Sequence, residues 1–326
     1  MKYRMIPGTD VNVSEISLGC WTMGGPNWRE GQPIGWAAVD PEDITRAIRL
    51  ALDAGVNHFD NADVYGNGLA ERMLAASLAS LGVRSESVLI ATKIGHFAGT
   101  AAHAYEPAHI RHQCEQSLIN LRRDYIDIYY FHHGNFGPNG EYLAEAAGVM
   151  DRLVEEGKVR VKGQSAYSLA DFERAVPVVR PRVLQSWAHA LDDKFVAVGS
   201  GLQALMDRHD LAFVAFSPLA QGLLLDKFDP QHPPSFEPGD HRGAKKQFQS
   251  EHLALLRPKL GRLKERFGAR VEDLAAMALQ YVLAHPRVLC VIPGFRNERQ
   301  VACNLAGADG GMSAEDLAFV RSVLAG

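Results

Sequence analysis

The chain has 326 residues and a formal net charge of −4. That length suits a single α/β barrel domain over residues 1–326, and the weak negative charge argues against a nucleic-acid-binding face. No apolar run approaches the roughly 18 residues that span a bilayer, so no membrane insertion is expected. The start lacks the apolar core of a signal peptide. The scattered Cys20, Cys114, Cys290 and Cys303 fit neither a disulfide framework nor a zinc site, which points to free thiols in the cytoplasm.

Two extended runs, 3–5 and 11–13, flank Pro7-Gly8-Thr9-Asp10 and predict a β-hairpin. Residues 16–18 form a first short strand. Asp40 is placed to cap a helix over 41–54, with Pro41 in its first turn and Gly55 past its end. Ile44, Ala47, Ile48, Ala51 and Leu52 give that helix one apolar face. Strand and helix patterns then alternate: 56–59 and 70–81, 88–92 and 107–121, 126–131 and 142–156. Strand 159–163 precedes a helix over 169–176, stopped by Pro177, and strand 183–185 precedes a helix within 195–208. Strand 211–216 leads into a long insertion that runs to about His252. A helix over 271–284, a strand over 288–292 and short helices near 298–305 and 313–324 finish the chain.

Eight strands alternating with helices predict parallel pairing and right-handed crossovers. The expected architecture is a (β/α)₈ TIM barrel with an N-terminal β-hairpin and a long insertion after strand seven. An open doubly wound sheet is the alternative. It calls for a glycine-rich turn that opens a helix, and no helix directly follows Gly19-Cys20-Trp21-Thr22-Met23-Gly24-Gly25.

The strand ends of a barrel open onto one mouth. Asp60, Lys93 and His132 stand at three such ends, and Tyr65 lies in the loop after Asp60. Singly, each has a structural reading: a turn cap, a solvated lysine, a core histidine, a packed tyrosine. Together they suit carbonyl reduction. Tyr65 is the expected proton donor, and a Lys93 ammonium is expected to lower its ordinary pKa of about 10. Asp60 holds Lys93 charged, and His132 orients the carbonyl oxygen. The neighbouring His133 leaves the choice of histidine open at this point.

No metal-ligand spacing stands out, and Gly163-Gln164-Ser165-Ala166-Tyr167 lacks the closing glycine of a nucleophile elbow. Near the C-terminus a strand ends in Pro293-Gly294, a loop offers Arg296 and a helix begins, which is the pattern of a phosphate site. Gln300 and Asn304 share a face of that helix and are placed to read a base edge.

These segments resemble the aldo-keto reductase family. Asp60-Asn61-Ala62-Asp63-Val64-Tyr65-Gly66 is similar to its aspartate–tyrosine signature, and Ile90-Ala91-Thr92-Lys93 to its lysine strand. Asp124-Tyr125-Ile126-Asp127-Ile128-Tyr129-Tyr130-Phe131-His132 is similar to its histidine strand, a register that selects His132. Glu156-Gly157-Lys158-Val159-Arg160, Phe216-Ser217-Pro218-Leu219-Ala220-Gln221-Gly222-Leu223-Leu224 and Ile292-Pro293-Gly294-Phe295-Arg296 follow in order. The likeness covers essentially the whole chain. The Gly239–Arg242 run and the long insertion resemble the bacterial branch near inositol-utilisation reductases and potassium-channel β-subunits.

The resemblance implies an NADP(H)-dependent oxidoreductase that interconverts an aldehyde or ketone, sugar-like carbonyls included, and the alcohol. It implies Tyr65 as general acid/base, Lys93 and Asp60 as its tuning pair and His132 as substrate orienter. It further implies that Gly19, Cys20 and Trp21 line the nicotinamide, with Ser165 and Gln185 towards its carboxamide and Phe216 stacked on its ring. Ser217, Pro218, Leu219, Gln221 and Gly222 would wrap the pyrophosphate, with charge added by Lys227 and Arg242. Gly294 and Arg296 would meet the 2′-phosphate, and Gln300 and Asn304 the adenine.

Three departures stand out. Ala166 replaces an asparagine that clamps the carboxamide, Asn61 replaces a threonine, and the loop 22–39, with Trp28 and Trp36, is long enough to wall a substrate pocket. A nucleotide-binding regulatory or sensor subunit is the alternative function. A Schiff-base aldolase using Lys93 is a third, against which Asp60 argues by favouring a charged amine. Oligomeric state is open.

Overall fold

The computed structural model describes residues 1–325. Strand β1 (Tyr3–Met5) pairs antiparallel with β2 (Asn12–Ser14). Ile6, Val11 and Val13 of this hairpin pack with Ala91, Ile128, Val161, Val214 and Leu289 of the barrel strands, so the hairpin completes the barrel's interior core. After β3 (Leu18–Gly19), a 3₁₀ turn over Cys20–Gly24 leads into an outlying hairpin, β4 (Trp28–Arg29) with β5 (Gln32–Pro33), which the periodicity did not indicate.

The remaining strands are β6 (His58–Asp60), β7 (Leu89–Ile94), β8 (Ile126–Phe131), β9 (Val159–Ser165), β10 (Val183–Trp187), β11 (Ala212–Phe216) and β12 (Val288–Ile292). They run parallel in chain order from β3, and bridges from Ile16 to Val291 and from Gly19 to Gly294 join the last strand to the first. The architecture is the expected (β/α)₈ TIM barrel. Every residue of β8 and β12 is buried, as parallel strands covered on both faces require.

The connecting helices are α1 (Pro41–Asp53), α2 (Leu69–Ser80), α3 (Pro107–Leu121), α4 (Leu143–Glu155), α5 (Leu169–Val179), α6 (Gly201–His209), α7 (Ser250–Phe267), α8 (Val271–Leu283), α9 (Glu298–Leu305) and α10 (Ala314–Ala325). Asp40 caps α1 by accepting from the Glu42 amide at 2.8 Å, and Ile44, Ala47, Ile48 and Ala51 form its buried face.

Two helices depart from expectation. Pro177 does not stop α5, which runs on to Val179 and ends at Arg180 in the left-handed conformation, φ 51°. The insertion after β11 ends in α7, where a long helix was not expected. It buries only Leu253, Leu260 and Leu263 and carries Pro258 inside it. No described helix is long and apolar enough to cross a membrane, and all four cysteines are free and buried.

Candidate active site

Asp60 ends β6, Lys93 is the penultimate residue of β7, and His132 follows β8 directly. The parallel register, with Asp60 opposite Ala91 and Lys93 opposite Tyr130, brings these ends to one mouth. Lys93 is fully buried. Its Nζ donates to Asp60 Oδ1, to the Asn61 carbonyl at 2.6 Å and to the Tyr65 hydroxyl at 3.5 Å. An ammonium has three donors, so Lys93 is fully engaged. Gln185 Nε2 donates to the other Asp60 oxygen at 2.7 Å.

Two glycines fix Tyr65. A Cβ on Gly66, at φ +59°, would lie 2.3 Å from the Gly24 carbonyl oxygen, and one on Gly24 would lie 2.7 Å from the Gly66 nitrogen. Only glycine lets the turn after β3 press this closely on the Tyr65 backbone.

Burial, with Asp60 second, pushes the Tyr65 hydroxyl well above the usual phenol range. This reverses the expected direction. The Lys93 ammonium lies against Asp60 more closely than against Tyr65, so its field at the phenol is largely offset. Burial first, then His96 and Lys93, push His132 well below the usual histidine range. Its imidazole is therefore neutral, and its buried Nδ1 has no partner among the described residues. The Tyr65 and His132 rings meet edge to face at 5.9 Å. His133 is occupied elsewhere, with Nε2 2.6 Å from the Gly95 carbonyl and its backbone amide on the Tyr105 hydroxyl.

Asp60, Tyr65 and His132 lie in the wall of a cleft of about 710 Å³. Gly19, Trp21, Gln185, Phe216, Ser217, Pro218, Leu219, Gln221 and Gly222 also line it, as do Lys227, Arg242, Gly294, Arg296, Gln300 and Asn304. Lys93 lies behind them, and two expected cofactor-binding residues do not line the cleft. Cys20 begins the 3₁₀ turn after β3, so strand alternation no longer governs it, and its thiol is sealed in the core with Leu18 and Met23. Ser165 pairs in register with Gln185, but its hydroxyl is buried behind the wall and has no partner among the described residues. Ala166 is packed in the core, and its carbonyl accepts from Ser186 Oγ at 2.7 Å. Of the two loop tryptophans, Trp36 lines the cleft, whereas Trp28 is exposed and flanks Gly239.

One end of the cleft gathers cations. Arg242 is paired with Asp240 at 2.6 Å and lies over the Trp36 ring. Lys227, Lys245, Arg296 and Arg299 line the same end, and none has a carboxylate within ion-pair distance among the described residues. Burial, followed by Arg242, lowers the pKa of Lys227, of Arg296 and of Lys245, the last to about 8. Helix α9 starts beside them, capped by Asn297, which accepts from the Gln300 amide at 3.1 Å. Cations that repel one another at a helix N-terminus fit a polyanion. The loop after β11 crosses this region with Ser217, Ala220 and Gln221 at φ 54°, 48° and 57°, a left-handed run held by its surroundings. Lys245 donates to Gln221 Oε1 at 3.0 Å.

Arg29, His96, Tyr167, Trp187, Lys245 and Arg299 also line the cleft, and sequence reasoning missed them. They come from segments remote in sequence, Arg29 on β4, Trp187 at the end of β10 and Arg299 in α9 among them, with no periodicity or shared spacing to single them out.

The family model described as Aldo/keto reductase family matches residues 15–325. The L-galactose dehydrogenase of Arabidopsis thaliana is 26% identical over 99% of this chain and 94% of its own length. A probable voltage-gated potassium channel subunit beta from the same plant is 26% identical over 95% of this chain and 92% of its own. Among solved structures, the glycerol dehydrogenase of Gluconobacter oxydans superposes with a TM-score of 0.81 at 26% identity, covering 99% of this chain and 95% of that one. Motif order, barrel and family match agree: the chain belongs to the aldo/keto reductase family, and its dehydrogenase relatives support an oxidoreductase.

Proposed function

We propose that the protein is an NADP(H)-dependent oxidoreductase that interconverts an aldehyde or ketone and the corresponding alcohol. The observation that carries this reading is the buried Lys93 ammonium, which bridges Asp60 and the Tyr65 hydroxyl at the edge of a cleft. The residues at the far end of that cleft suit the cofactor. The unpaired Lys227, Arg296 and Arg299 suit its phosphates, with Arg296 at the 2′-phosphate. Gln300 and Asn304 stand where a base edge would be read, and the loop from Ser217 to Gly222 would follow the pyrophosphate. Trp21 and Phe216 would flank the nicotinamide, with Gln185 towards its carboxamide. Cys20 and Ser165 drop out of this set.

When bound, the nicotinamide exchanges a hydride with the reacting carbon. Tyr65 passes its phenolic proton to the oxygen as negative charge develops there. Lys93 then stabilises the tyrosinate left behind, and Asp60 keeps Lys93 charged and aimed. Neutral His132 donates a hydrogen bond to the same oxygen and sets its approach. Because burial keeps Tyr65 protonated, the site is poised for reduction near neutral pH.

Titrating the protein with NADPH and with NADH, read by quenching of Trp21 fluorescence, tests the cofactor assignment. NADPH should bind about tenfold tighter or better, as expected of one charge-assisted phosphate contact. Equal affinities would remove Arg296 from the phosphate site. Turnover across a panel of aldehydes, ketones and sugars tests the reaction.

A second reading, a nucleotide-holding regulatory or sensor subunit, is favoured by the potassium-channel subunit relative. NADPH binding with no turnover on the panel, together with a co-purifying partner, would select it.

A further inference from the structure

The half of the cleft away from the cation group has a charge of its own. Arg29, on β4, reaches into the cleft from the outlying hairpin. That hairpin is anchored next to the proton donor, because buried Asn27 donates from Nδ2 to the Val64 carbonyl at 2.9 Å. Arg29 has no carboxylate partner among the described residues, and its one polar contact is from Nη1 to His96 Nδ1 at 3.2 Å. That contact fixes the tautomer of His96. With Nδ1 accepting, Nε2 carries the hydrogen and donates to the Tyr167 hydroxyl oxygen at 3.1 Å. The Tyr167 proton is then free to be donated into the cleft. Burial pushes the His96 pKa to about 3, so the ring is neutral and holds this polarity. His96 also packs edge to face on His132 at 4.3 Å, which ties the chain to the residue that orients the carbonyl oxygen.

The carboxylates in the cleft wall are Asp60, engaged by Lys93 and Gln185, and Glu272, at the start of α8. Arg29 is therefore uncompensated, with two guanidinium nitrogens unused beside a tyrosine donor. We propose, resting on the carbonyl-reductase reading above, that the substrate carries a carboxylate several bonds from its carbonyl and that Arg29 and Tyr167 grip it. A single guanidinium in this half matches one negative charge, so a carboxylate fits better than a phosphate dianion. The width of His96 separates Arg29 from His132, so an acid group directly on the carbonyl carbon is too close. Trp187 and Trp36 supply apolar wall for the methylenes between.

The test compares kcat/KM, with NADPH, for glutarate semialdehyde and for its uncharged methyl ester. The native protein should prefer the acid by about 10–100-fold, the range of one charge-assisted contact. Arg29→Ala should collapse that ratio towards unity and Arg29→Lys should keep part of it. A purely structural role would lower both substrates together and leave the ratio intact. Glutarate binding to the NADPH-loaded protein, followed by calorimetry, gives a readout that needs no turnover and should vanish in Arg29→Ala. No preference in the native protein, an unchanged ratio in Arg29→Ala, or preference for a phosphorylated aldehyde would overturn the proposal. Reduction of both aldehydes without preference would sink it while the oxidoreductase reading stands. Arg29-dependent glutarate binding without reduction of either would do the reverse.

Discussion

Replacing Lys93 by methionine separates what the buried ion pair does for the fold from what it does for chemistry. Lys93 is fully buried and Asp60 is 1% exposed. Methionine fills most of the volume but leaves Asp60 with only the Gln185 amide opposite its charge. Removing one partner of a buried pair costs about 3–5 kcal/mol, because the remaining charge has lost both water and counter-ion. Unfolding entropy of about 2.1 cal/mol/K per residue gives roughly 0.7 kcal/mol/K for a chain of 326 residues. The melting temperature should therefore fall by about 4–7 °C, measured by circular dichroism and checked by urea unfolding. Adding Asp60→Asn to Lys93→Met removes the orphaned charge while keeping an acceptor for Gln185, and should recover more than half of the loss. The double variant should remain inactive, since no ammonium then faces Tyr65. If Lys93→Met alone loses less than about 1 kcal/mol, Asp60 is not held as a buried partner of Lys93, and the reasoning about the pair fails.

Four further outcomes follow from the site. Tyr65→Phe should lower kcat for reduction by about 10²–10⁴-fold while NADPH affinity is retained, and full activity would remove Tyr65 from the mechanism. Because the Tyr65 pKa is raised by burial and by Asp60, alcohol oxidation, which needs the tyrosinate, should keep rising with pH up to and beyond the ordinary phenol value of about 10; a plateau near neutrality in initial rates would contradict that direction. Lys245 titrates at about 8 in the free protein, and a bound anion raises that value, so NADPH affinity should be flat below pH 8, weaken above it, and lose this dependence in Lys245→Met. Gly66→Ala places a methyl 2.3 Å from the Gly24 oxygen, so calorimetry should show a folded protein with lower stability and kcat should drop as Tyr65 is displaced; native kinetics would show that the turn yields freely.

The barrel and the cluster of polar groups at its mouth were legible because each rests on a local signal. Buried strands such as Ile126–Phe131 read as continuous apolar runs, and Asp40 with Pro41 marks a helix start. Once the strands are parallel, their ends share a mouth, and Asp60, Lys93 and His132 follow. What stayed hidden depends on distances between segments remote in sequence. Arg29, His96 and Tyr167 meet only when three loops fold over the mouth. Cys20 turns into the core because the chain leaves extended geometry right after Gly19. Helix α7 buries so few residues along its length, with Pro258 inside, that its pattern resembled an insertion. The direction of the Tyr65 shift was misread because spacing shows that a lysine is near but not how deeply the phenol is buried, and burial is the larger cause.

The charges of the cleft obey two regimes, and the contrast is itself an argument about function. Beside Tyr65, Lys93 and Asp60 are matched: Lys93 against Asp60, and Asp60 against Lys93 and Gln185. A matched, buried network holds its geometry whatever enters the cleft, which is what a proton-transfer group requires. At the far end, Lys227, Lys245 and Arg296 stay unmatched and depress one another or yield to Arg242. Clustered cations without counter-charges weaken the free fold, and a polyanion that binds only the folded form reverses this by mass action. On the proposed reading the matched set serves chemistry and the unmatched set recognition. Arg29, unmatched on the other side of the cleft, belongs to the second regime, which is why substrate recognition is proposed in the mouth as well.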